Sequence, residues 1–89
     1  MLKKYRNEID SIDKEMKELF IKRMQIAKNV ADYKKKNKVA IHDINREKEM
    51  FEKLMSDIKD PKLKELYAAF LLRTVELSKL YQKDVIEND

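Results

Sequence analysis

The sequence predicts an all-α fold of three helices, the first of them very long. Three observations predict it. Apolar residues recur from Leu2 to Tyr33 at alternating steps of three and four, the period of one helix face. The chain has no Gly and a single Pro, which removes most tight-turn chemistry. The one Pro stands in "KDPK", where a helix stops and another starts.

Helix one is expected from about Leu2 to Lys36. Its stripe reads Leu2, Tyr5, Ile9, Ile12, Met16, Leu19, Arg23, Ile26, Val30, Tyr33, a heptad seam with one charge in it. About 34 helical residues make a rod of roughly 50 Å. A compact domain of this length has a diameter of only about 30 Å, so the chain cannot bury that seam against itself. The expectation is therefore an intertwined, two-fold symmetric helical homodimer. A solitary coiled-coil dimer is the plainer alternative, but Pro61 and the break before helix two favour a folded bundle.

The stretch "NKVAIH" connects helix one to helix two, with Val39 to Ile41 too short for a useful strand. Helix two is expected over 43–58, capped by Asp43, whose short carboxylate can accept from the free N–H groups of the first turn. Its stripe is Ile44, Glu47, Phe51, Leu54, Ile58, again with one charge. Asp60 caps helix three, and Pro61 takes its first position, where a missing N–H costs nothing. Helix three is expected over 61–86, and residues 1–89 form a single helical domain.

Composition excludes several classes. Without Gly there is no phosphate-cradling loop or dinucleotide fingerprint. Without Cys there is no disulfide or thiolate metal site, which suits a reducing compartment. The one His, His42, is too little for a zinc site and reads as a solvent-facing loop residue. No apolar run approaches the ~18 residues of a membrane span, and "MLKKYRNEID" lacks the apolar core of a signal peptide. A cytoplasmic location is expected. Net charge is +4, from 21 basic and 17 acidic residues, too mild and too mixed to argue for nucleic acid.

Polar residues stand where each helix calls for apolar ones. Beside the seam of helix one runs Phe20, Met24, Ala27, Ala31, and the next member is Lys34. Followed the other way, it leads back to Arg6. In helix three the main stripe is Leu63, Tyr67, Phe70, Thr74, Leu77, Tyr81, and beside it Leu71 and Val75 continue into Ser78 and Gln82. Taken singly these have plain readings. Arg23 can snorkel to water, Lys34 belongs to a lysine run that suits a helix end, and Glu47 can pair with Arg23. Together they do not. Burying an unpaired charge costs several kcal/mol, and Asp43 and Glu47 cannot neutralise Arg6, Arg23, Lys34 and Arg46. The surplus calls for an anionic guest with two negative charges, gripped by the planar fork of Arg.

Four segments in order, "YRNEIDSID", "RMQIAKNVADYK", "IHDINRE" and "ELSKLYQ", carry an Arg, an Arg 17 residues on and a Lys 11 later. Over nearly its whole length the chain resembles the all-helical, type II chorismate mutases. Helix three is the more generic match, preserving mainly the Ser-to-Gln spacing of four. The resemblance implies three helices per chain, an intertwined dimer with two active sites, and an isomerase that converts chorismate to prephenate in aromatic amino-acid biosynthesis. It implies that Arg6 crosses into the partner's site and binds the enolpyruvyl carboxylate, helped by Lys34. Arg23 would hold the ring carboxylate with the hydroxyl of Ser78. Lys34 and Gln82 would donate to the ether oxygen whose bond breaks, Glu47 with the backbone near Asp43 would accept from the ring hydroxyl, and Arg46 would support the carboxylate end. No metal or cofactor is expected.

Rival expectations are an isochorismate-pyruvate lyase, which resembles the same fold, and a non-catalytic helical interaction or nucleic-acid module using "KKKNK". The matched segments reach within a few residues of both ends of the sequence, which argues against a fused second catalytic domain.

Overall fold

A computed structural model of the chain describes residues 1–41 and 43–88. It is all-α: α1 spans Leu2–Asn37, α2 spans Ile44–Met55 and α3 spans Pro61–Asn88. His42, expected to be a solvent-facing loop residue, lies outside the described residues.

The long helix ends without glycine. Lys38 takes the left-handed conformation (φ 55°, ψ 43°), and its N–H closes onto the Lys34 carbonyl. Val39 N–H reaches the same oxygen at 2.9 Å. Non-Gly residues pay about 1–2 kcal/mol for that conformation, and here it satisfies a carbonyl left over at the helix end. Lys34, Lys35 and Lys36 occupy the last turn, where cations complement the helix dipole.

Helix two is shorter than the expected 43–58. Asp43 caps it, with Oδ1 accepting from the Arg46 N–H at 3.1 Å. It then stops at Met55, where the Ile58 N–H bonds the Met55 carbonyl at 3.2 Å, a three-residue step that closes the last turn. The cause lies downstream. A residue before proline is pushed out of the helical region, and Asp60 must turn its carboxylate onto the Lys62 and Leu63 N–H groups at 2.8 and 3.2 Å. The chain leaves its helical course early enough to allow both. Helix three runs two residues past the expected 86.

Helix α3 is the hub, packing on both α1 and α2. The intrachain core consists of Ala27 and Ala31 from α1 against Leu71 and Val75 from α3, with Ala31 fully buried. These belong to the second apolar stripe of each helix. The main stripes stay uncovered: Leu2, Ile9, Ile12, Leu19 and Ile26 on α1, and Leu63 and Phe70 on α3, are all half or more exposed. One residue of offset is about 100° around a helix, so α1 and α3 each carry two distinct apolar faces and use one within the chain. The result is extended, 53 Å along its longest axis with a radius of gyration of 16.2 Å. A compact chain of this length would have about 12 Å. The accessible surface is 7663 Å², where a folded monomer of this mass exposes about 5,500 Å².

Candidate active site

Small residues set the site. Because Ala27 and Ala31 let α3 approach α1 closely, the next positions of the two buried stripes, Lys34 on one and Ser78 and Gln82 on the other, meet at the edge of the core. A cleft of about 260 Å³ opens there, walled by α1, the start of α2 and α3. Arg23, Lys34, Asp43, Arg46, Glu47, Ser78 and Gln82 all line it. Seven of the eight residues singled out in the sequence thus share one cleft. The eighth, Arg6, does not reach it. Arg6 is exposed on α1, 17 residues and about 25 Å of helix from Arg23.

Each side chain is placed by its local structure. Lys34 Nζ donates to the Ile41 carbonyl at 2.9 Å, part-buried, so the ammonium is tethered at the cleft with two of its three donors to spare. The Asp43 cap starts α2 so that Arg46 and Glu47 fall in its first turn, and Glu47 there also complements the helix dipole. Glu47 Oε1 accepts from Lys79 Nζ at 2.8 Å, joining α2 to α3. Among the described residues, no side-chain partner holds the guanidinium of Arg23 or Arg46. Gln82 is 8% exposed; its Nε2 donates to Ser78 Oγ at 3.2 Å, and its buried Oε1 has no partner. An orphaned buried acceptor costs about 1–3 kcal/mol. A half-turn of the amide would let Oε1 accept from the Ser78 hydroxyl and aim two N–H donors into the cleft.

Lys79 and Met50 also line the cleft and were not singled out in the sequence. The signal for Lys79 was present: it stands four residues after Val75 and three before Gln82, hence on the same helix face. The second-stripe positions Ala27 and Val75 form apolar parts of the wall. With Lys79 counted, four cations (Arg23, Lys34, Arg46, Lys79) face two carboxylates (Asp43, Glu47). The cleft carries a surplus of two positive charges.

Fold and cleft together define a class: an all-helical protein with a net cationic cleft at the edge of its core. Comparison with known proteins sharpens this. The family model described as chorismate mutase type II matches residues 5–83, and the chain belongs to that family. A bifunctional chorismate mutase/prephenate dehydratase of Buchnera aphidicola subsp. Schizaphis graminum is 39% identical over 83 residues, covering 92% of this chain and 22% of that protein. One of the same description from Aquifex aeolicus is 43% identical over 54 residues, covering 61% and 15%. A third, from Buchnera aphidicola subsp. Acyrthosiphon pisum, is 36% identical over 84 residues, covering 93% and 22%. The chain thus spans under a quarter of the length of these relatives. No solved structure gives a significant match. Among the described residues, no helix is long and apolar enough to cross a membrane.

Proposed function

We propose that the chain is a chorismate mutase, an isomerase that rearranges chorismate to prephenate. The observation that carries this is the convergence of Arg23, Lys34, Glu47, Ser78 and Gln82 on one cleft with a surplus of two positive charges, in a chain of the chorismate mutase type II family. The substrate is a dianion, and the reaction is an intramolecular Claisen rearrangement in which one C–O bond breaks as one C–C bond forms. It needs no proton transfer and no nucleophile. The protein must hold the flexible enolpyruvyl arm over the ring in a near-attack geometry and set fixed donors where negative charge grows on the ether oxygen.

The roles in this reading are those the family resemblance implies, and the shared cleft supports them. Arg23, joined by the Ser78 hydroxyl, grips the ring carboxylate through its two-pronged guanidinium. Lys34 and the Gln82 amide donate to the ether oxygen. Glu47, at the capped start of α2 beside the Asp43 backbone, accepts from the ring hydroxyl. Arg46 supports the carboxylate end. Even a ~10⁶-fold acceleration corresponds to about 8 kcal/mol, within reach of prealigned charges acting on a confined substrate.

The active form in this reading is an intertwined homodimer. An uncovered heptad seam on α1 and roughly 2,000 Å² of accessible surface beyond the monomer expectation support it, since permanent homodimer interfaces fall in that range. In the dimer, Arg6 of one protomer enters the other's cleft and binds the enolpyruvyl carboxylate. The cysteine-free composition suits a reducing compartment, and a cytoplasmic location goes with this function.

The test is to add purified protein to chorismate and follow its ultraviolet absorbance, with isochorismate run in parallel. Loss of chorismate with formation of prephenate is expected. Pyruvate release from isochorismate without chorismate turnover would make the protein a lyase, and no change in either would leave a helical binding module.

A further inference from the structure

A carboxylate is an awkward group in a cleft meant for a dianion. Glu47 faces the same space as Arg23 and Lys34, and a bare negative charge there would repel both carboxylates of the guest. Within a few ångströms such repulsion amounts to kcal/mol even at a protein-like effective dielectric constant. Lys79 meets Glu47 Oε1 at 2.8 Å across the α2–α3 contact, the two side chains being 29% and 25% exposed. Lys79 also lines the cleft itself. It stands three residues before Gln82 on α3 and lines the cleft with Ser78 and Gln82, so the helix that presents donors to the guest also presents the counter-charge for the acceptor.

We infer that Lys79 is a positioning residue for Glu47. It neutralises and orients that carboxylate, so that the cleft offers an acceptor to the guest's ring hydroxyl without repelling the guest's two anionic groups. The inference rests on the chorismate mutase reading and adds a residue to it. Geometry favours action through Glu47: the ammonium is engaged by a carboxylate oxygen, and a carboxylate has acceptor capacity for more than one donor. The charge balance sharpens the expectation. Removing Lys79 lowers the surplus from two to one, removing the charge of Glu47 raises it to three, and removing both restores two.

The test is steady-state kinetics on chorismate for wild type, Lys79→Met, Lys79→Gln, Lys79→Arg, Glu47→Gln and the double variant Glu47→Gln with Lys79→Met. Circular dichroism and oligomeric mass are recorded for each. Because the ring hydroxyl is not a reacting atom, its acceptor acts on ground state and transition state alike, and the loss falls on KM. Lys79→Met is expected to raise KM about tenfold with kcat within about twofold, Lys79→Gln to do so less, and Lys79→Arg to recover most of it. In the Glu47→Gln background, Lys79→Met should cause no further rise. A full-sized loss in that background would show that Lys79 contacts substrate directly and would overturn the inference, as would an unchanged KM in both Lys79→Met and Lys79→Gln. Should Lys79→Met fail to fold, Lys79→Gln and Lys79→Arg decide the outcome. A wild-type protein that leaves chorismate unchanged overturns the functional reading and this inference together, whereas an active wild type with independent losses overturns the inference only.

Discussion

The Lys34 ammonium and the Ile41 carbonyl, seven residues apart in the chain, are joined by a 2.9 Å hydrogen bond. One side chain thereby lines the cleft and holds the connection that leads into α2. In the proposed function, substrate binding and the placement of Asp43, Arg46 and Glu47 are coupled through it.

Replacing Lys34 should therefore damage two properties at once. Lys34→Met is expected to lower kcat by roughly 10²–10³-fold, the scale for losing one donor aimed at developing charge. The same variant should raise amide hydrogen exchange across residues 38–41, where the tether is lost. Normal exchange there with kcat unchanged would remove Lys34 from the mechanism.

Arg23 interrupts an apolar seam and is half-buried. Arg23→Ala is expected to leave thermal stability equal or higher, since a partly desolvated charge is relieved. It should cost about three orders of magnitude in kcat/KM, the scale of truncating one partner of a charge-assisted pair. Paired measurements of Tm and turnover check this. A large fall in Tm with activity kept would make Arg23 structural.

Gln82 carries an amide, which donates without first gaining a proton. Turnover should vary little between about pH 5 and 8, because this donor does not titrate. Gln82→Glu reverses that: a carboxyl donates only when protonated, and burial raises its pKa. Its activity should be largest on the acid side and fall as pH rises. A wild-type rate that drops steeply between about pH 5 and 7 would take Gln82 out of the donor role.

Arg6 can be tested by complementation. Arg6→Ala and Arg23→Ala should each be nearly inactive. If each cleft takes Arg6 from one protomer and Arg23 from the other, refolding an equal mixture should restore about a quarter of wild-type sites, through mixed dimers with one intact cleft. No recovery from a mixture shown to exchange subunits would refute the shared site.

Lys38 holds a left-handed conformation that only Gly adopts at no steric cost. Lys38→Gly should stabilise the protein by about 1 kcal/mol, read from chemical denaturation at fixed protein concentration. A loss of stability would show that the Lys38 side chain contributes more than its backbone strain costs.

By itself the sequence determined that there are three helices and which residues cap the starts of α2 and α3. The three-and-four spacing of α1, the Asp43 cap and the Asp60–Pro61 start are local facts, and local geometry follows from them. It also determined that Arg23, Lys34, Glu47, Ser78 and Gln82 break apolar faces, because periodicity states direction around a helix axis. Tertiary structure decided which face meets which neighbour. The fuller seam of α1, from Leu2 to Tyr33, looks like the natural core, yet the chain packs through the sparser stripe of Ala27 and Ala31, whose small side chains admit α3 at close range. The end of α2 at Met55 is local too, because the demands of Asp60 and Pro61 outweigh the apolar period reaching Ile58. Tertiary structure brought Lys79 onto Glu47 as well, a pairing between residues 32 positions apart that no spacing along one helix encodes. Periodicity is a property of a single helix, whereas a contact needs the distance and rotation of two, and these are set by the volumes packed between them.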